Sequence, residues 1–390
     1  MPLVDEIVER QREMTEWRRA LHAMPETAFE EHRTAAFIAE KLESFGIPHV
    51  TGLAGTGIVA TLHGRGEGPA IGLRADMDAL DIEETTNLPY RSTVPGKMHA
   101  CGHDGHMVML LGAARHLART RNFAGTVHFI FQPAEEMAGG GKVMVEQGLF
   151  ERFPMQQVFG LHNWPGQRFG SFSGKPGPML AASDVFEITL TGRGAHGAMP
   201  HLGIDPILVA AELVSALQSI ASRTVDPQDS AVVSVTQIHA GDAWNIIPGE
   251  AVLRGTVRCF RPEVRALVEA RLRAITQGIC LAHGAEGRVW YDYRYPPTVN
   301  SAEETALALA AAGEVADGDV IPDPASSMAS EDFAYMLEAR PGAYLWLGSG
   351  EGIGLHNAGY DFNDALLPVG ASYWVRLTES LLRAESLHKA

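Results

Sequence analysis

The chain has 390 residues, 46% of them hydrophobic, and a formal net charge of -16. That length exceeds what one core usually fills and points to two domains of roughly 100–200 residues each. The acidic balance, with no run of lysine or arginine, argues against nucleic acid or an anionic membrane surface and leaves small molecules as the better partners.

Val4, Ile7, Met14, Trp17 and Leu21 roughly keep helical spacing, and Ala35, Ile38, Ala39, Leu42 and Phe45 keep it closely, with Gly46 as a stop. The chain therefore opens with two helices. The first stretch carries Asp5, Glu6, Glu9, Glu13 and Glu16 where a signal peptide would be basic and then apolar, and no segment approaches the length of a membrane span. The cysteines Cys101, Cys259 and Cys280 are too few and scattered for a disulfide framework. Together these features predict a soluble protein of the reducing cytoplasm.

Short apolar runs bounded by Gly and Pro follow at 57–62, 70–75, 126–131 and 158–162, with a helix over 108–119. Such runs alternating with helices describe an α/β sheet buried on both faces. Between 184 and 295 the pattern changes to strand 185–191, helix 205–222, strand 231–238, strand 251–259, helix 263–283 and strand 288–295, the βαββαβ order of a ferredoxin-like unit. The candidate ligand His356 lies beyond this unit and the others before it. The unit is therefore an insertion: a catalytic domain of residues 1–183 and 296–390, ending in a helix over 369–387, is interrupted by a second domain of residues 184–295.

Four stretches offer metal ligands: Cys101 and His103 in Cys-Gly-His, the pair Glu135-Glu136, His162, and His356. Each falls at or just past the end of a strand or in the following loop, where open α/β sheets place their ligands. Each alone has an ordinary reading, as a buried cysteine in a Gly/His-rich turn, a solvated acidic pair or a capping histidine. Together they describe a dinuclear site with a built-in base. Thiolate, imidazole and carboxylate suit zinc, manganese, cobalt or nickel, whereas calcium and magnesium take oxygen throughout. Neighbouring carboxylates can divide labour, one holding metal while the other moves a proton.

Asp76, Asp78, Asp104, His99 and His106 are read as groups that orient the ligands, with a salt bridge to Arg74 as the alternative for Asp76 and Asp78. His22, His63, His116 and His128 are read as structural. Gly170-Ser171-Phe172-Ser173-Gly174 puts Phe172 where a nucleophile elbow needs serine, and Gly139-Gly140-Gly141-Lys142-Val143 lacks the spacing of a phosphate loop.

The stretches Trp17 to His22 with Pro25-Glu26, Leu73 to Leu80, Cys101 to His106, Gln132 to Glu136, Gly160 to Pro165, Gly194 to His201, Asn245 to Pro248 and Met328 to Phe333 occur in family order across nearly the whole chain. On these residues the chain resembles the aminoacylase/carboxypeptidase superfamily of dinuclear metallohydrolases, in the amidohydrolase subgroup of hippurate, auxin-conjugate and N-acyl-amino-acid hydrolases. The resemblance implies two divalent metal ions per subunit on Cys101, His103, Glu136, His162 and His356, with Glu135 as general base. It further implies that the inserted domain is a lid that mediates a homodimer, or a homotetramer built on it. His196 corresponds to a lid histidine that reaches a neighbouring site and supports the oxyanion, and Asn245 and Arg258 to positions associated with the substrate carboxylate. The implied reaction is hydrolysis of N-acyl amino acids; a dipeptidase or aminopeptidase of the same superfamily, and a ligand-binding relative without turnover, are the alternatives. Asp81 departs from the pattern, since relatives commonly carry proline there.

Overall fold

The computed structural model describes residues 2–136, 138–316 and 319–383. Helices α1 (Asp5–Glu9), α2 (Gln11–His22) and α3 (His32–Ser44) lead into strands β1 (His49–Leu53), β2 (Gly57–His63) and β3 (Ala70–Asp76). Then come α4 (His103–Thr120), β4 (Thr126–Gln132), α5 (Gly140–Glu146), β5 (Gln157–Trp164) and β6 (Phe172–Ser173). The middle of the chain forms β7 (Ala182–Thr191), β8 (Ala195–His196), α6 (Pro206–Ser219), β9 (Ala231–His239), β10 (Ile246–Ile247), β11 (Glu250–Cys259), α7 (Pro262–His283) and β12 (Glu286–Tyr295). It closes with α8 (Ala302–Ala316), β13 (Val320–Ile321), β14 (Gly342–Gly348) and α9 (Leu367–Leu381).

Two compact units result, one holding residues up to Met179, Val299–Ala325 and Asp332 onward, the other Leu180–Thr298 with Ser326–Glu331. The first contains an eight-stranded sheet in the order β1-β2-β4-β3-β5-β14-β6-β13. β3 runs parallel to β4 and β5, and β5 to β14, while β2 meets β4 antiparallel, so the sheet is mixed. β4, β5 and β14 are buried almost throughout, the burial of strands covered on both faces. One core joins Phe129, Phe131, Phe159 and Leu345 of these strands to Met107, Val108 and Leu111 of α4 and to Tyr373, Trp374 and Leu377 of α9.

Several bounds differ from the sequence pattern for local reasons. The first expected helix is two, because Arg10 leaves helical geometry at φ -100°, ψ 8°. α4 begins five residues before the expected 108, since its first turn carries His103, Asp104 and His106 in place of an apolar stripe. Strands β1, β6, β13 and β14 are not apparent in the sequence; β14 is a five-residue apolar run between glycines, too short to separate from a loop by periodicity. The final helix starts at Leu367, and positions 384–387 of the expected one lie outside the described residues. Among the described residues no helix is long and apolar enough to cross a membrane.

In the second unit four antiparallel strands stand in the order β9-β11-β7-β12. Burial alternates along β7 and β11, and the buried face packs Phe186, Ile188, Leu253 and Val257 against Leu213 and Leu217 of α6 and Val268 and Leu272 of α7. This is the split βαβ arrangement. α6 starts where Asp205 accepts the Ile207 N–H as an N-cap, with Pro206 in the first turn.

Candidate metal centre

The first unit brings the six candidate residues together. Cys101 and His103 flank Gly102, whose φ of 101° lies in the left-handed region, and a Cβ there would run into the Asn163 side chain. Glycine is therefore required to turn the chain into α4 with both ligands inward. Cys101 Sγ lies 3.4 Å from His162 Nε2 at the end of β5. Glu136 closes the cluster, with Oε1 3.8 Å from His103 Nε2 and Oε2 3.3 Å from His356 Nε2. The side chains of His103, Glu135 and Glu136 offer ligand atoms within 4.8 Å of one another, as do those of Cys101, Glu136 and His356.

Four of the five candidate ligands are held from behind. His103 Nδ1 donates to the Asp78 carbonyl at 2.8 Å and His162 Nδ1 to the Asn163 carbonyl at 2.7 Å, which turns both Nε2 atoms toward the cluster. The Glu136 N–H donates to Asp78 Oδ2 at 3.0 Å. His356 has a positive φ of 59° and donates its own N–H to the Ala100 carbonyl at 2.8 Å, beside Cys101. A non-glycine residue held in that region is costly unless its surroundings fix it.

The electrostatics favour a cation. Burial raises the Cys101 thiol well above its usual value, and the Glu136, Glu135 and Asp76 carboxylates push it further. Burial opposes a charged His103, yet Asp76, Asp78 and Glu136 outweigh it and hold the imidazole up at about 10. His162 is driven the other way, by burial first and then by His106. Among the described residues His103 Nε2 and Glu136 Oε1 are buried with no hydrogen-bond partner. Ligands about 2.1 Å from a shared tetrahedral ion sit roughly 3.4 Å apart, close to the 3.3–3.8 Å spacings found here. The residues present thus fit divalent cations.

The surrounding residues divide. Asp76 accepts from Arg74 at 2.8 Å and bonds His106 Nδ1 at 2.6 Å. The His106 ring lies 4.4 Å from that of His162, and its Nε2 meets Asn163 Oδ1 at 2.7 Å. Asp104 faces away from the ligands and bonds His22 Nδ1 at 2.8 Å, with Arg18 at 3.6 Å, so it anchors the start of α4 to α2. His99 is buried among these groups. Asp81, in the place of the usual proline, pairs with Lys97 at 2.7 Å. Sequence reasoning misses Glu31 and Tyr360: no motif points to Glu31, and the Tyr360 hydroxyl that accepts from Asn163 Nδ2 at 2.8 Å lies far from it in sequence.

His196, Asn245 and Arg258 lie in the second unit. His196 and Asn245 are exposed neighbours: Ile246 pairs with His196, and the Gly197 N–H donates to the Asn245 carbonyl at 2.7 Å. Arg258 is half-buried, donates to the Thr256 hydroxyl and the Val257 carbonyl, and has no carboxylate within ion-pair range among the described residues. It pairs across the ladder with Ser183, whereas Glu250, near Asn245, pairs with Thr191. Eight residues of strand separate those rungs, roughly 27 Å, so Arg258 and the His196–Asn245 pair occupy opposite ends of one ribbon.

A mixed α/β domain presenting thiol, imidazole and carboxylate donors, with a split βαβ unit inserted, defines a class of metal-dependent hydrolases. The chain belongs to peptidase family M20/M25/M40, whose model matches residues 72–380. It is 43% identical to a hippurate hydrolase of Campylobacter jejuni over 98% of this chain and 100% of that one. It is also 43% identical to an N-acetyl-L-cysteine deacetylase of Bacillus subtilis, over 92% of this chain and 85% of that one. A solved Bacillus subtilis structure, a dinuclear metal binding peptidase of family M20, superposes with a TM-score of 0.85 at 35% identity, covering 97% of this chain and 99% of that one.

Proposed function

We infer that the chain is a metal-dependent amidohydrolase that cleaves the amide bond of N-acyl amino acids, releasing a carboxylic acid and a free amino acid. The observation that carries this reading is the second carboxylate, Glu135, seated against the ligand cluster beside Glu136 and His103. The two named relatives act on N-acyl amino acids of different acyl groups, which supports the amide and leaves the acyl side open.

Cys101, His103, Glu136, His162 and His356 would hold two divalent ions of the manganese, zinc, cobalt or nickel class. When bound, the ions supply Lewis acidity that polarises the acyl carbonyl and makes water more acidic. Glu135 takes a proton from the attacking water, whose oxygen joins the acyl carbon. As the C–N bond breaks, Glu135 returns the proton to the departing nitrogen. Arg258, which has no carboxylate partner among the described residues, suits bidentate pairing with the substrate's free α-carboxylate.

One substrate cannot touch both ends of the ribbon, so His196 and Asn245 are assigned to the site of a second copy, where His196 supports the developing oxyanion. A homodimer through the inserted lid domain supplies that copy. In favour stand the outer edge of β9 and the exposed side chains of Trp244, Ile246, Leu202, Leu208 and Ile238 on this unit, an apolar surface and open strand edge that a partner would cover. The test is turnover of N-benzoyl, N-acetyl and indoleacyl amino acids and dipeptides by metal-depleted protein reconstituted with one metal at a time. Turnover of dipeptides alone, or full activity without metal, would overturn the reading.

A further inference from the structure

Glu31 is a charged residue with no exposure, far in sequence from every ligand. Its Oε1 accepts two backbone N–H groups, from Phe29 at 3.1 Å and from Ala134 at 2.9 Å, and its Oε2 accepts the Thr56 hydroxyl at 2.6 Å. Phe29 and Ala134 are non-glycine residues in left-handed backbone, at φ 64° and 55°. Side chains disfavour that conformation, so something outside the turn must hold it. Ala134 immediately precedes Glu135. Its carbonyl accepts from the Gly140 N–H at 3.0 Å, while the Glu136 N–H is fixed by Asp78 and the Gly141 N–H by Asp332 at 2.7 Å. The turn carrying the carboxylate pair and the start of α5 after it are thus tied at three N–H groups by three buried carboxylates, and Glu31 holds the one just before Glu135.

We propose that Glu31 is a positioning residue for Glu135: by accepting the Ala134 N–H it fixes the left-handed turn that aims the base, and it acts through reach, not through charge. The proposal rests on the assignment of Glu135 as the base. Two near-isosteric variants separate reach from charge. Glu31→Gln keeps a carbonyl oxygen in place of Oε1, and the Thr56 hydroxyl can rotate to accept from the new amide. Glu31→Asp keeps the charge but withdraws the oxygens by one methylene.

In metal-loaded protein, Glu31→Gln should retain kcat within ~3-fold, whereas Glu31→Asp should lose at least ~10-fold in kcat with KM and bound metal little changed. Hydrogen exchange of a peptide covering 131–136 should accelerate in Glu31→Asp and stay slow in Glu31→Gln. A purely structural glutamate would lower the melting temperature without changing kcat per metal-loaded site. Normal kcat and slow exchange in Glu31→Asp, or Glu31→Gln as impaired as Glu31→Asp, would overturn the proposal. Glu135→Gln measured alongside separates the two ideas: an inactive Glu135→Gln with a normal Glu31→Asp sinks the role of Glu31 alone, and an active Glu135→Gln sinks the base assignment with it.

Discussion

The candidate residues of the two units are held in opposite ways. In the first unit four of the five candidate ligands have a second contact fixing their pose: carbonyls behind His103 and His162, a carboxylate behind the Glu136 backbone, a tie to Ala100 behind His356. In the second, His196 stands exposed on a two-residue ladder with Asn245 exposed just before its partner strand, and Trp244 beside them is fully exposed. A metal centre needs its geometry before the ion arrives, because ligands left to find their places would dilute affinity with ordering entropy. Groups that grip a substrate or a partner can be ordered by what they grip.

The strongest way to break that contrast is at the preformed centre. Chelation should abolish activity, with manganese, cobalt, nickel or zinc restoring it, and Cys101→Ala should lose bound metal and turnover together. Glu135→Gln should keep its metal and lose on the order of 10²–10⁴ in kcat, the range general acid–base catalysis supplies. A near-normal rate would remove Glu135 from the chemistry. Metal content and single-turnover rates decide both.

The exposed side is tested by complementation. If His196 works in a partner's site, a hybrid of His196→Ala and Glu135→Gln subunits has one site with both lesions and one with neither, and regains activity that neither parent shows. No recovery in verified hybrids would return His196 to its own subunit or take it out of catalysis. A smaller effect is expected at the other end of the ribbon. Wild type should prefer a free N-acyl amino acid over its amide or methyl ester by at least ~10-fold, or about 1.4 kcal/mol, and Arg258→Ala should lose that preference. Equal selectivity in both proteins would exclude Arg258 from substrate binding.

A further test reads stability and leaves catalysis aside. Burial holds His99 and His128 of the first unit at about 4 against an ordinary 6.5, so they fold neutral. Between those values the unfolded chain binds more protons than the folded one, and stability falls as pH drops through that window, by up to roughly 3 kcal/mol per imidazole. His22 has the opposite sign: burial opposes its charge, Asp104 and Glu84 raise it to about 9, and its contribution is intact below 6.5 and lost as pH rises past 9. Glu84, which burial would raise, is held at about 2 by His22 and Thr86 and gives way only in stronger acid. Melting curves from pH 6.5 to 4.5 should therefore show a slope that His128→Gln flattens; an unchanged slope would mean His128 is solvated in the folded protein.

By itself the sequence determined which residue types could meet. Cys-Gly-His, Glu-Glu and two Leu-His-Asn segments carry mixed donors; Glu-Glu and the first Leu-His-Asn fall at strand ends, which are legible because buried strands are short apolar runs between glycines, whereas Cys-Gly-His opens α4 and the second Leu-His-Asn lies in the loop after β14. The βαββαβ order was legible for the same reason, each helix and strand keeping its own period. Tertiary structure alone decided that Asp76 serves Arg74 and His106 together, that Asp104 turns to His22, that Arg258 and Asn245 sit at opposite ends of a ribbon, and that Glu31 reaches under Glu135. Periodicity reports which face of an element is apolar, whereas a buried carboxylate's partners come from strands and turns a hundred residues away. Only the packed sheet brings those into register.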